Sequence, residues 1–191
     1  ELRRVAQEIA DRDIRSVAIS SVFSPVNSEF EQRAAELVLE ELPDAAISLS
    51  HEIGRIGLLE RENATIMNAC LRDLALHIVE AFNAALAEFG IEAPVYLSQN
   101  DGTLMSVDFA ERYPVATFAS GPTNSMRGAA FLSGILDCAV VDIGGTTSDV
   151  GVLHHGFPRE ASIAVEIGGV RTNFRMPDVF SFGLGGGSFV R

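Results

Sequence analysis

Positive charge, cysteine and long apolar runs are all scarce in this sequence, and each shortage removes a class of function. Only 14 basic residues stand against 26 acidic ones over 191 positions, a formal net charge of −12. Nucleic-acid binding needs a basic face to neutralise phosphates, and no Lys/Arg cluster occurs. The same shortage disfavours docking on an anionic membrane surface. A small phosphate ligand stays open, because backbone amides and a divalent cation can dominate the field locally. Cysteine occurs twice, at Cys70 and Cys138, without CxxC spacing, and both read as small buried apolar side chains. No apolar run reaches the length of a membrane span and no signal peptide precedes the first helix, so a cytoplasmic protein is expected. With 47% hydrophobic residues, a core can form without disulfides or a structural metal.

What is present reads as α/β. A first helix over residues 1–12 is followed by a buried strand at Ser16–Phe23. A turn containing Ser24-Pro25 then leads into a helix that Asn27 or Ser28 caps, with Glu29 and Glu31 at its positive end. Ala34, Ala35, Leu37, Val38 and Leu42 supply its apolar face, Pro43 ends it, and a strand follows at Ala45–Leu49. That is a strand–helix–strand unit of the parallel-sheet kind. The longest helical pattern runs from Arg61 to Phe89, with an apolar stripe through Ile66, Leu74, Ile78 and Phe82 and a terminator at Gly90. His77 lies on that stripe and reads as a hydrogen-bonded core or boundary residue. Further on come a strand at Val95–Ser98 with the turn Gln99–Gly102, and a helix opened by Ser120-Gly121-Pro122. Gly128, Ala129, Ala130 and Gly134 would let that helix pack closely on another element. A strand is expected again at Ser162–Ile167. The chain opens inside a helical pattern and stops at Phe189-Val190-Arg191 as if entering a strand. Residues 1–191 therefore read as one internal fragment of a larger chain, with no internal boundary that composition marks.

The chemistry concentrates in Asp142-Ile-Gly-Gly-Thr-Thr-Ser-Asp149, a tight turn between two apolar strands. Amides from Gly144, Gly145, Thr146 and Thr147 are placed to bind phosphate oxygens as a nest, and the two threonines add hydroxyl donors. Asp142 or Asp149 is placed to hold a magnesium ion, more through its waters than directly. Charge-assisted amide–phosphate bonds contribute about 1.5–3 kcal/mol each, so three or four support micromolar binding. The element is not a P-loop, because no Lys follows the glycines and a strand rather than a helix comes next. A second cluster, Gly183-Leu-Gly-Gly-Gly-Ser188, also permits close ligand approach, although a flexible connection explains it equally well when taken alone. Two roles fit Asp101: shaping the Asp-Gly turn, or serving a site at a strand's carboxyl end. The adjacent His154 and His155 sit at a turn, and alternation along a strand argues against their sharing one metal ion.

The hairpin resembles the phosphate-binding element of the actin, sugar kinase and heat-shock ATPase superfamily. Taken with Asp101-Gly-Thr-Leu-Met-Ser106, Ser120-Gly-Pro122 and Gly183–Ser188, it is similar to the hydantoinase A/oxoprolinase family. Leu49-Ser-His-Glu52, Glu60-Arg61 and Asn68-Ala69 extend the likeness over nearly the whole chain. The resemblance implies a ribonuclease H-like mixed sheet flanked by helices, and ATP-dependent opening of a cyclic amide such as hydantoin, N-methylhydantoin or 5-oxoproline. It further implies ATP and Mg2+ as cofactors and a hydantoinase B-type partner subunit or domain. On this likeness Asp142, Asp149 and Asp101 are the expected catalytic carboxylates, with Asp142 the metal ligand. Gly144, Gly145, Thr146, Thr147, Gly185, Gly186, Gly187, Ser120 and Gly121 are the expected ATP contacts. The family's N-terminal Asp-x-Gly-Gly-Thr phosphate motif has no counterpart here, so the fragment alone is expected to be inactive. Phe180 stands where many relatives carry His two residues after the position of Asp178. A small-molecule kinase, a chaperone-like ATPase or a non-catalytic nucleotide-binding module of the same superfamily are the alternatives.

Overall fold

The computed structural model describes residues 1–162 and 164–189. In chain order the elements are α1 (Leu2–Ala10), β1 (Ser16–Ile19), α2 (Glu29–Glu41), β2 (Ala46–Leu49), α3 (Ser50–Ile53) and α4 (Leu58–Glu88). They continue with β3 (Tyr96–Ser98), β4 (Leu104–Ser106), α5 (Val107–Arg112), a 3-10 turn at Pro114–Thr117 and α6 (Ser120–Ser133). The last are β5 (Cys138–Ile143), β6 (Ser148–His154), β7 (Phe157–Pro158), β8 (Val165–Ile167), β9 (Val170–Thr172) and β10 (Val179–Phe182). The result is a mixed α/β fold. Its pairings are segregated, however. Among the described residues β1 and β2 form a parallel pair, while β10-β6-β5 with β7, β3-β4 and β8-β9 are antiparallel sheets. The one mixed sheet expected from the sequence is not formed by these residues. Contacts divide the chain into a unit of Glu1–Val95, Val107–Val115 and Ala164–Phe174 and a unit of Tyr96–Ser106, Ala116–Ile163 and Arg175–Arg191.

The first unit contains the expected strand–helix–strand, with Ser16 to Ile19 in parallel register with Ala46 to Leu49. Ser28 is the N-cap of α2 without a side-chain cap bond, while Asn27 Oδ1 accepts from the Glu29 N–H at 2.9 Å. The long helix α4 is present, and Gly90 (φ +64°) lies just past its end. Its buried face departs from the apolar stripe, of which Ala69 is buried. Ile66, Leu74, Ile78 and Phe82 are exposed, whereas Arg61, Ala64, Thr65, Asn68, Ala69 and Val79 are buried. His77 is exposed too, with Nδ1 2.6 Å from the Asp73 carbonyl, and Cys70 is exposed rather than buried.

What α4 buries is a polar network at the carboxyl ends of β1 and β2. Glu31, fully buried, accepts from the Ser21 amide at 2.8 Å, the Ser50 hydroxyl at 2.5 Å and the His51 amide at 3.1 Å. His51 Nδ1 lies 2.7 Å from Glu31 Oε2, the oxygen that the His51 amide also bonds. Arg61 donates to Ser50 Oγ at 3.0 Å and to the Ser21 carbonyl at 2.6 Å. Asn68 donates to Ser48 Oγ and the Arg112 carbonyl, both at 3.0 Å. A charge this deep is tolerated because nearly every lone pair and N–H finds a partner.

In the second unit Met126 and Ala130 of α6 pack on Leu153 of β6, with Cys138, Val140 and Val179 around them. Gly151 permits this approach: a Cβ there would meet the Met126 thioether at 2.7 Å. Gly128 and Gly134 serve no close packing, since a Cβ at either would have nothing within 4 Å; Gly134 (φ +72°) is instead the C-cap of α6. The returning strand expected at Ser162–Ile167 is shorter, at Val165–Ile167, and belongs to the first unit. Ile163, Val190 and Arg191 lie outside the described residues.

Candidate functional site

Antiparallel register builds the site. β5 and β6 pair from Cys138↔Leu153 to Ile143↔Ser148, and residues 144–147 form the turn between them. Asp142 is directly opposite Asp149, and β10 places Ser181 opposite Asp149 in turn. Directly opposed residues share a face, so Asp142, Asp149 and Ser181 form one row across three strands. Val140, Gly151 and Val179 form the next row on that face, against the α6 core. Two carboxylates directly opposed repel each other, and here the Ser181 hydroxyl bonds Asp149 Oδ1 while Asp142 is left without a charged partner among the described residues.

The two glycine clusters meet. Gly186 N–H donates to the Gly144 carbonyl and Gly187 N–H to the Gly145 carbonyl, both at 2.9 Å. Ser148 Oγ donates to the Leu184 carbonyl at 2.5 Å, and Ser188 Oγ accepts from the Gly185 amide at 3.0 Å. The Gly185 loop therefore lies directly on the hairpin turn. A Cβ at Gly185 would stand 2.7 Å from Gly144 O, Gly145 C and Thr146 N, all backbone atoms, so only glycine fits. The reading of this cluster as a flexible connection is overturned by these contacts.

The turn differs from a nest. No residue from Gly144 to Thr147 has a left-handed φ, so the alternating backbone of a nest is not formed. Gly144 N–H is occupied by the Thr147 carbonyl at 2.9 Å. The amides of Gly145, Thr146 and Thr147 have no hydrogen-bond acceptor among the described residues, and all three residues are exposed. A Cβ on Gly145 would meet nothing within 4 Å. The turn thus offers three outward amides and two threonine hydroxyls on a backbone braced from behind by the second loop.

Other expected residues have different surroundings. Asp101 Oδ1 accepts from the Thr103 amide at 2.9 Å and the Thr103 hydroxyl at 2.6 Å, and its second oxygen faces Arg175 at 3.8 Å. That is the turn-shaping role. Ser120 and Gly121 open α6, where first-turn amides lack intrahelical partners. Among the described residues, no hydrogen bond or ion pair joins Asp101, Ser120 or Gly121 to residues 142–149. The buried residue that organises this region is Asn100, which the sequence did not single out. It accepts from the Ala119 amide at 2.8 Å, donates to the Arg175 carbonyl at 3.0 Å and receives Thr123 Oγ1 on its own carbonyl at 3.1 Å. Phe180 is 69% exposed and alternates to the face opposite Ser181, so it takes no part in the carboxylate row.

In the first unit, the remaining residues of the family likeness turn out to be structural partners. Ser50, His51, Arg61 and Asn68 are the polar network. Glu52 pairs with Arg112 at 2.9 Å and accepts from the Tyr113 hydroxyl at 2.7 Å. Glu60 pairs with Arg171 at 3.1 Å. No described helix is long and apolar enough to cross a membrane.

Residues 61–191 match the family model described as hydantoinase/oxoprolinase, and residues 1–42 match the hydantoinase/oxoprolinase N-terminal region. The chain is similar to the caprolactamase alpha subunit of Pseudomonas jessenii, 31% identical over 185 residues, covering 94% of this chain and 26% of that protein. It is similar to the acetone carboxylase beta subunit of Xanthobacter autotrophicus, 27% identical over 201 residues, covering 99% of this chain and 27% of that protein. The crystal structure of ATP-dependent caprolactamase from P. jessenii aligns with a TM-score of 0.84 at 27% identity, over 97% of this chain and 27% of that one. The chain spans about a quarter of the length of the curated relatives it matches.

Proposed function

The chain belongs to the hydantoinase/oxoprolinase family, and on that premise we propose that it carries one phosphate-binding half of an ATP site in a larger enzyme that activates a cyclic amide. The observation that carries this reading is the docking of the Gly185–Gly187 loop on the back of the Gly144–Thr147 turn, which leaves three adjacent amides facing outward. Backbone N–H groups held in this way bind phosphate oxygens without any basic side chain, which suits a chain of net charge −12. Gly145 leaves the space beside these amides clear, and Thr146 and Thr147 add hydroxyl donors.

The carboxylate row fits a magnesium ion. Mg2+ binds through one or two carboxylates and keeps several waters, so Asp142 is the ligand of this reading, with Asp149 fixed beside it by Ser181. ATP would supply the phosphoryl group that turns an amide or carbonyl oxygen into an activated one. The protein's part is to orient the phosphates on the turn, to balance their charge through the Asp142-held cation, and to keep the turn rigid through the second glycine loop. Gly144, Gly185, Gly186 and Gly187 act through the backbone in this reading. Asp101 shapes its own turn and Ser120 and Gly121 open α6, so the phosphate contacts of this reading are those of the hairpin turn.

The enclosing fold is proposed as ribonuclease H-like, of the actin-like ATPase class, with the rest of the cleft contributed by a longer chain. The relatives named above are subunits, which supports a partner subunit; a partner of the hydantoinase B kind and a cytoplasmic setting are proposed with it. The test is phosphate release from MgATP by the intact polypeptide with its partner. Hydantoin, N-methylhydantoin, 5-oxoproline, caprolactam, and acetone with bicarbonate are the substrates to offer. Stimulation by a cyclic amide with the ring-opened product supports the proposal. Phosphate transfer to a hydroxyl acceptor with no amide present would replace it with the kinase alternative.

A further inference from the structure

The histidine pair at the β6–β7 turn behaves differently from what strand alternation suggests. His155 has φ +52° and Gly156 φ +78°, a two-residue hairpin turn with both central residues left-handed. That backbone swings the His155 ring onto the side of His154, and the two imidazoles stack with centroids 4.1 Å apart. Asp137, in the loop between α6 and β5, faces both. Its Oδ1 lies 2.9 Å from His154 Nδ1 and accepts from the His155 amide at 3.1 Å, while Oδ2 is 4.0 Å from His155 Nδ1.

We propose that Asp137, His154 and His155 form a site for a divalent transition-metal ion, with Zn2+ as the ion of first choice. Two imidazoles and a carboxylate are a donor set suited to zinc, with remaining positions left for water. A tetrahedral ion with bonds of about 2.0–2.1 Å holds its ligand atoms about 3.3 Å apart. His154 Nδ1 lies 2.9 Å from one Asp137 oxygen and His155 Nδ1 4.0 Å from the other, and one ligand atom from each of the three residues falls within 4.8 Å of the others. The Gly156 amide donates to the Leu136 carbonyl at 2.7 Å and Arg127 bonds the Gly156 carbonyl. Those bonds tie the turn to the Asp137 loop before any ion arrives.

The site shares no residue with the phosphate-binding turn, so it stands or falls separately from the nucleotide reading. The test uses the intact polypeptide, free of any histidine tag and stripped of metal. Zn2+ is titrated against a chromophoric chelator at pH 7.5. The variants are Asp137→Asn, His154→Gln and His155→Asn, the last chosen because Asn tolerates the left-handed turn. Wild type should take up one more equivalent of Zn2+ than the His154→Gln/His155→Asn double variant. Each single substitution should weaken that equivalent by at least about tenfold. The Zn2+-induced rise in melting temperature should vanish in the double variant, while its metal-free melting temperature stays as in wild type. Equal stoichiometry in wild type and double variant would overturn the proposal, as would tight Zn2+ uptake that none of the three substitutions changes.

Discussion

Replacing Gly185 with Ala tests how the two glycine loops depend on each other. The added Cβ would lie 2.7 Å from three backbone atoms of the hairpin turn, where ordinary contact begins at 3.4 Å. The loop must therefore retreat by about 0.7 Å, since neither side has a flexible side-chain end that can give way. That retreat lengthens the 2.9 Å bonds from Gly186 and Gly187 to about 3.6 Å, past the useful range. Two bonds at about 0.5–1.5 kcal/mol each give a loss of about 1–3 kcal/mol. If the braced turn is what binds phosphate, the same loss appears as about 5- to 150-fold weaker MgATP binding. Calorimetric titration of the intact polypeptide measures it, with thermal unfolding run in parallel. Gly183→Ala is the control, because a Cβ there meets nothing within 4 Å and should be neutral or slightly stabilising. Wild-type affinity in folded Gly185→Ala would refute the reasoning, and so would equal damage from both substitutions.

Other consequences concern the buried polar groups. Glu31→Gln should cost about 3–5 kcal/mol in urea unfolding at neutral pH, because it leaves Ser50, His51 and the Ser21 amide facing an unmatched group. Burial pushes the Glu31 carboxyl up, but hydrogen bonds from Ser50, His51 and Ser24 outweigh this and hold it below its ordinary 4.5. Its charge therefore contributes stability above pH 4.5 that is lost as pH falls through the lower native value, and Glu31→Gln should flatten that acid limb of the stability profile. Asn100→Ala should lower stability by roughly 2–4 kcal/mol, read as a drop in melting temperature, since the Ala119 amide and the Arg175 carbonyl both lose a buried partner.

Local signals in the sequence were legible where the structure depends on them. Two apolar runs flanking a Gly-Gly-Thr-Thr turn located the β5–β6 hairpin, and the Asn27/Ser28 cap with Pro43 bracketed α2 to within about two residues. Long-range partners were not legible. Nothing near Glu31 reveals that Ser50, His51 and Arg61 will satisfy it, because those residues arrive from β2–α3 and α4 and the match is three-dimensional. For the same reason α4 was assigned an apolar buried face, while its real contacts are Arg61, Thr65 and Asn68 against strand ends. The carboxylate row needed the register of β10, and the bracing of the turn needed a loop some forty residues downstream. The histidine pair failed on a single backbone angle: period-two reasoning holds only while φ stays extended, and His155 leaves that region.

The central claim is that the surface beside Gly145 receives phosphate. Gly145→Val addresses it most directly, because the new side chain meets no protein atom within 4 Å at its Cβ yet occupies the space beside the outward amides. Equilibrium MgATP binding by the intact polypeptide is the measurement, with the melting temperature recorded on the same sample. The account predicts an affinity loss of more than about tenfold, that is over 1.4 kcal/mol, with an unchanged melting temperature. Unchanged affinity in the folded variant would contradict it and remove the nucleotide from this turn.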